Sequence, residues 1–378
     1  MSFAPSHEQD ELRATMRRFL EDTSPAAEVR RLMETERGYD PAVWTRMGSQ
    51  LGLQGLPITE DEGGQGFGIV EVALVLEEMG RALLCAPYLG SVCLGAGAIR
   101  HGATEEQRRA LLPGIATGET VAALALVEEN ARWDETGIAL EARPEGDGFR
   151  LEGTKSFVLD GHVADRVVVA ARRPGSTGTE GISLLVVEGD AEGLERTLLP
   201  TLDATRRLAR LDFHGVRATL LGEEGAAYPG LRRTLDEGAV CLAAEMAGGA
   251  RRCLESAVEY ARNRVQFGRP IGSFQAVKHL CADLLLEVEQ ATSAAYHAAL
   301  VADAGRADLP LVAAIAKAYC SDVYTHVATE TIHIHGGLGF TWEHDAHLHL
   351  RRARTSAVLL GDAAHHRERV AAELLGAA

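Results

Sequence analysis

The chain has 378 residues, 46% hydrophobic, with 54 acidic side chains against 38 Lys and Arg and a net charge of −16. That acid excess excludes a surface built to neutralise nucleic-acid phosphates. No apolar run approaches a membrane span, and the charged opening MSFAPSHEQDELRATMRRF has no apolar h-region. A soluble cytoplasmic protein, bound to neither nucleic acid nor membrane, is expected, and its length is too great for one simple domain.

Residues 1–120 read as a helical domain. Ser6 with Gln9, and Thr104 with Gln107, have the capping-box spacing. Leu12, Met16, Phe19 and Leu20, and later Val72, Val75, Leu76 and Met79, recur at helical spacing. The glycine-rich loop Pro57–Gly68 is either a plain connection or the lining of a ligand cleft.

The texture changes over residues 121–225. Val121–Val127 is a short apolar run. Phe149–Leu159 alternates imperfectly after the turn Pro144–Gly148. Arg166–Ala170, Gly181–Val187 and Leu208–Phe213 are strand-like. Short strands broken by Gly, Pro and Asp predict a compact β-domain.

Over residues 226–378 the pattern returns to helix. Leu231, Leu235, Leu242, Met246, Ala250, Leu254, Ala257 and Ala261 form one long stripe. Leu280–Leu300 and Val312–Ile332 predict two more long helices, the second starting near Pro310. Two breaks interrupt this half, at Phe267-Gly268-Arg269-Pro270 and at His335-Gly336-Gly337-Leu338-Gly339-Phe340. Neither Gly nor Pro continues a helix freely, and a cofactor seated against both breaks would explain them.

The six cysteines are scattered without a CxxC and read as buried core residues. Eight of the fourteen histidines follow residue 325, yet no HExxH or Cys partner accompanies them, so no metal is expected. The glycines at 336, 337 and 339 follow a helix rather than a strand, which weakens a dinucleotide-binding reading. No Walker A and no GxSxG motif occurs.

The α–β–α order, Arg264-Val-Gln-Phe-Gly268 followed by Phe274-Gln275, the later HGGLGF, and the helix AAEMAGGARRCLESAVEYARNR closely resemble the acyl-CoA dehydrogenase family. The resemblance covers essentially the whole chain. It implies an α+β fold with an N-terminal helical domain, a central β-domain and a C-terminal four-helix bundle. It also implies FAD, an acyl-CoA substrate and α,β-dehydrogenation in fatty-acid or steroid side-chain β-oxidation. In that reaction a carboxylate takes the α-proton and the β-hydride passes to the flavin, with an electron-transfer flavoprotein as the usual acceptor.

By the same resemblance, the ADP half of FAD would be held in trans. Arg264, Gln266, Phe267 and Gln275 match the contact positions, Gly336 and Gly337 the close-approach turn, and His333 the place where many relatives have Gln. A guanidinium suits a diphosphate because it donates two parallel hydrogen bonds.

The flavin half departs from the pattern. Where relatives carry T-E-P-x-x-G-S-D, this chain has Val127-Glu-Glu-Asn-Ala-Arg-Trp-Asp134, and where they carry W-I-T it has Phe157-Val158-Leu159. Val127, Trp133 and Leu159 thus replace hydroxyl side chains. The usual base position falls on Leu360, which accepts no proton. A second family position for the base falls on Gly238, followed by Ala239. Glu237 and Asp362 are the weak candidates for a relocated base. Glu237 points about 100° away from position 238, and Asp362 reads as a helix N-cap.

Three readings follow. The favoured one is a subunit of a heteromeric enzyme, resembling the α2β2 tetramers of actinobacterial steroid side-chain dehydrogenases, that lends ADP-binding residues to a homologous partner and lacks its own base. The second is a homotetramer with a relocated base. The third is a non-catalytic acyl-CoA-binding or scaffold subunit.

Overall fold

The computed structural model describes residues 6–376. They pack as two units. One comprises the residues up to Arg31, Ile69–Leu84 and Ala239 onward; the other comprises Leu32–Gly68 and Cys85–Gly238.

In the first unit, helix His7–Thr23 opens on the capping box of Ser6 and Gln9, with reciprocal bonds of 3.0 and 3.3 Å. It buries Met16, Phe19 and Leu20 and packs on helix Ile69–Arg81, whose Val72, Val75, Leu76 and Met79 are all buried. Arg17 bridges the two with a bidentate bond to Glu78 at 2.9 and 2.7 Å.

Helix Tyr228–Asn263 is the longest element, and from Ala239 on it belongs to this unit. Its stripe of Leu242, Met246, Ala250, Leu254, Ala257 and Ala261 is buried. Helix Ile69–Arg81 crosses it with the backbones in contact. A Cβ at Gly248 would lie 1.8 Å from the Glu77 carbonyl oxygen, and one at Gly80 would lie 2.0 Å from that of Glu245. The small residues of the AAEMAGGA run are what permit this approach. Helices Gln275–Asp303, Leu309–His335, Ala346–Val358 and Ala363–Leu375 complete the unit. Pro310 lies in the first turn of its helix, as anticipated. Inside, Arg352 donates to Glu245 at 2.7 Å and to the Leu84 carbonyl at 3.2 Å, so the buried pair is satisfied on both sides.

In the second unit, helix Glu105–Ala116 opens on the capping box of Thr104 and Gln107. Leu89–Gly95 forms a wholly buried π-helical turn, which no sequence pattern announced. The sheet contains β1 (Ala122–Ala125), β2 (Ala142–Glu145), β3 (Gly148–Leu159), β4 (Arg166–Arg172), β5 (Ile182–Glu188), β6 (Leu194–Leu198) and β7 (Leu208–Leu221). Its order is β1-β4-β5-β7-β3-β2, with β6 also on β7. β1 pairs with β4 in parallel; the other pairs are antiparallel. Leu151, Val167, Val169, Leu185, Val187, Leu211 and Phe213 are the centre of its core.

Two strands escape the sequence reading. β2 carries Pro144 and three exposed residues, which is tolerated because it is the edge strand. β6 is short and partly exposed, with no apolar alternation. The loop Pro57–Gly68 folds onto itself through Gly64 N to Thr59 O, Gly66 N to Ile58 O and Phe67 N to Leu56 O, and Arg108 holds its Glu62 at 2.6 Å. Five of the six free cysteines are buried and Cys281 is half-buried. Burial pushes the Cys320 thiol up to about 12, so it stays protonated and inert.

Among the described residues no helix is long and apolar enough to cross a membrane. Among them, too, no group of three or more His, Cys, Asp or Glu is placed to hold a metal ion.

Candidate functional site

The break after Asn263 is a two-stranded hairpin. β8 (Val265–Gln266) and β9 (Arg269–Pro270) flank Phe267 and Gly268, both left-handed at φ 53° and 77°. Two successive left-handed residues make a hairpin turn whose twist matches its strands. Glycine meets that demand freely; Phe267 does not, and it stands 92% exposed. Every residue from Arg262 to Pro270 is exposed. The Arg264 guanidinium has no partner among the described residues, while its backbone is fixed by Arg264 N to Tyr260 O and Ile271 N to Arg264 O, each 2.8 Å. Gln266 donates its amide to Val265 O at 2.8 Å. Gln275, also exposed, opens the next helix.

The second break lies at the same end of the unit. His335, the last residue of its helix, stacks on Tyr260 with ring centroids 4.4 Å apart and lies 4.3 Å from the His344 ring. Ile334 packs with Ala257 and Ala261. Gly336 is left-handed at φ 61°, and Gly337 starts a single helical turn to Phe340. A Cβ at either glycine would meet nothing within 4 Å, so both backbones are open to an approaching group. His333 is exposed, its Nδ1 3.2 Å from a Glu330 oxygen. The structure thus brings together the 264–275 and 333–337 segments.

Position 360 sits in a built turn. Leu360 is left-handed at φ 58° and 4% exposed, and Gly361 follows at φ 96°. His366 Nε2 donates to the Leu360 carbonyl at 2.9 Å. Burial, then the nearby charges of Lys317 and Arg369, hold His366 down to about 2, so it is neutral. Lys317, fully buried, donates to Gly361 O at 3.0 Å, Ala357 O at 3.2 Å and Ser321 Oγ at 3.1 Å. Burial pushes its ammonium down to about 7. Asp362 caps helix Ala363–Leu375 by accepting from His365 N at 2.8 Å.

In the second unit, Val127 and Leu159 are buried, at 2% and 4% exposure, and Trp133 is half-buried. Ser156 N donates to Val127 O at 2.7 Å. The frame around them is polar and satisfied. Lys155 Nζ, fully buried, donates to Leu126 O at 2.9 Å and Glu128 at 2.7 Å. The same Glu128 oxygen accepts from Ala139 N and Leu140 N at 2.9 Å each. Burial pushes Lys155 down to about 8 against the pull of Glu128. The π-helical turn closes in here as well, since a Cβ on Gly90 would lie 2.8 Å from Asp160 Oδ2 and 3.2 Å from Leu159 O.

Glu237 is buried and accepts from Arg233 at 2.6 Å, His101 at 2.9 Å and Arg100 at 3.5 Å. Burial raises its pKa, but the His101 bond and the charges of His101, Arg100 and Arg233 outweigh that and leave it at about 2. A carboxylate so held is a structural anion and a weak base.

The sequence matches the acyl-CoA dehydrogenase N-terminal domain over residues 6–119, the middle domain over 123–216 and the C-terminal domain over 229–375. The chain belongs to the acyl-CoA dehydrogenase family. It is 34% identical to the acyl-CoA dehydrogenase IpdE2 of Mycolicibacterium smegmatis over 369 residues, 98% of this chain and 99% of that protein. It superposes on the Tcur3481–Tcur3483 steroid ACAD at TM-score 0.88 with 31% identity, covering 97% and 98% of the two chains. On the ChsE4–ChsE5 complex of Mycobacterium tuberculosis the TM-score is 0.89 with 27% identity, covering 100% and 99%.

Acyl-CoA dehydrogenases are FAD-dependent oxidoreductases of CH–CH groups. The free guanidinium of Arg264 and the open backbone at Gly336 and Gly337 have the chemistry that suits a diphosphate. The side chains of Val127 and Leu159, which stand where the resemblance expects hydroxyls, offer no hydrogen-bond donor. Lys317, His366 and Lys155, which hold the backbone around these positions, escaped the sequence reading. A lysine inside the apolar helical run AAIAKAYC was the available signal for Lys317, because an uncompensated buried ammonium would not be tolerated there.

Proposed function

We propose that this acyl-CoA dehydrogenase is one subunit of a heteromeric enzyme acting on an acyl-CoA thioester. It lends Arg264, Gln266, Phe267, Gln275, His333, Gly336 and Gly337 in trans to the ADP half of an FAD whose ring is held by a homologous partner chain. The observation that carries this reading is the buried Leu360, standing in a fully supported turn where the family resemblance expects the base. Neither substitute serves, because Glu237 is tied into an ion-pair cluster and Asp362 is spent on a helix cap.

The wholly exposed hairpin 262–270 supports donation to another chain. Two of the solved relatives, Tcur3481–Tcur3483 and ChsE4–ChsE5, carry two-component names, and the first is called a steroid ACAD. That favours a heteromer and makes a steroid-type acyl chain the first substrate class to try. Electrons would leave through an electron-transfer flavoprotein. The division at residues 1–120, 121–225 and 226–378 is part of the same proposal.

Arg264→Ala in the assembled enzyme tests it. The complex should lose most of its FAD absorbance while its oligomeric state persists. Full retention of FAD would overturn the trans assignment.

A further inference from the structure

A cleft of about 430 Å³ lies in the first unit, and none of the cofactor positions discussed above lines it. It is bounded by the end of helix His7–Thr23, the start of helix Ala26–Met33, the end of helix Ile69–Arg81 and the long helix around Arg252. Its size is that of a small-molecule site.

Three guanidiniums face it. Arg17 is engaged by Glu78, and Arg81 by Glu255 at 3.0 and 2.7 Å. Arg252 is exposed and has no hydrogen-bond or ion-pair partner among the described residues. Of the acids that face the cleft, Glu78 is bound by Arg17, Asp345 is held by Arg30 at 2.9 and 2.7 Å, and Glu21 is exposed.

His349 also lines the cleft and is only 8% exposed. Burial, then the positive charges of Arg252, Arg352 and Arg81, hold it down to about 3. The ring is therefore neutral in a positive field. Its Nδ1 lies 2.9 Å from the Tyr324 hydroxyl. With the tyrosine donating, the ring proton resides on Nε2, which has no protein partner among the described residues. The remaining lining is mixed: Leu20, Val29, Leu83 and Leu348 supply apolar side chains, and Ser24, Ser256, Thr331 and His344 supply polar ones.

We propose that this cleft binds a small amphiphilic anion, a carboxylate carried on an aliphatic or alicyclic body. The carboxylate takes the free guanidinium of Arg252 and the Nε2 proton of His349, and the body lies on Leu20, Val29 and Leu348. The uncommitted guanidinium of Arg252 beside a neutral donor suits a single carboxylate, and Leu20, Val29 and Leu348 offer an aliphatic body a contact that inorganic phosphate lacks.

The test is calorimetric titration of the assembled protein, saturated with CoA to occupy the thioester site, with sodium octanoate and separately with inorganic phosphate. Octanoate should bind saturably and more tightly than phosphate. Arg252→Ala should weaken octanoate binding at least ~tenfold, and Arg252→Lys should recover part of it. Ala26→Trp, which fills the mouth from an exposed position, should abolish it. The last variant decides the matter if Arg252→Ala fails to fold. Absence of saturable octanoate binding, binding indifferent to these substitutions, or phosphate binding as tightly as octanoate would overturn the proposal.

Discussion

The buried ammonium of Lys317 donates to the carbonyl oxygen of Gly361 at 3.0 Å, one residue past Leu360. With the Ala357 carbonyl at 3.2 Å and the His366 bond to Leu360 O, it fixes the whole turn. A left-handed leucine is strained, by about 1–2 kcal/mol, and these bonds hold it. These bonds fix the backbone of position 360, and in this chain its side chain can accept no proton.

Lys317 should make stability pH-dependent. Its folded value of about 7 lies below the ~10.4 of an unfolded lysine. Between those values the unfolded chain holds more protons, so stability should rise with pH across that window, by at most about 1.4 kcal/mol per unit. Urea midpoints from pH 7 to 10 should show this, and Lys317→Met should flatten it. The variant should also be less stable at pH 9–10, by about 1–3 kcal/mol, because its partner oxygens lose their donor.

Glu237 should matter for stability and not for turnover. Glu237→Gln removes the carboxylate from Arg100, His101 and Arg233, whose side chains are 21–30% exposed. The loss should be about 2–3 kcal/mol, below the full value for a dry pair. Its folded pKa is depressed to about 2, so its contribution is complete above the ~4.3 of an unfolded glutamate and fades as pH falls towards 2. Turnover of the assembled enzyme with the variant should stay at the wild-type level; a large rate loss would make Glu237 the base.

Most of the architecture could be read in advance. Both capping boxes, the buried stripe from Leu242 to Ala261 and the start at Pro310 rest on local chemistry that a sequence displays directly. The hairpin at Phe267–Gly268 was legible as a break but not as two strands, because its pairing spans only Val265 with Pro270 and Gln266 with Arg269. β2, β6 and the π-helical turn Leu89–Gly95 owe their form to neighbours rather than to a pattern of their own. At the site, Val127, Leu159 and Leu360 stood out because they are apolar where resemblance expects donors or a base. Lys155 and Lys317 act through carbonyl oxygens distant in sequence, and nothing local displays that.

Leu360→Glu should not awaken the chain on its own. By the proposed reading the variant restores a carboxylate at the position where the resemblance expects the base, but the side chains of Val127 and Leu159 would still give a flavin ring no donor. Dehydrogenase activity of the purified variant should stay at background. Burying the carboxylate at a 4% exposed position should also lower stability by about 2–4 kcal/mol.

The central claim is that this chain holds only the ADP side of a shared FAD. FAD per chain, measured by absorbance on the chain expressed alone and again with a homologous acyl-CoA dehydrogenase chain from the same genome, tests it most directly. The account predicts a colourless protein alone, and one FAD for every two chains on co-expression. A yellow homo-oligomer with one FAD in every chain and dehydrogenase activity of its own would contradict it.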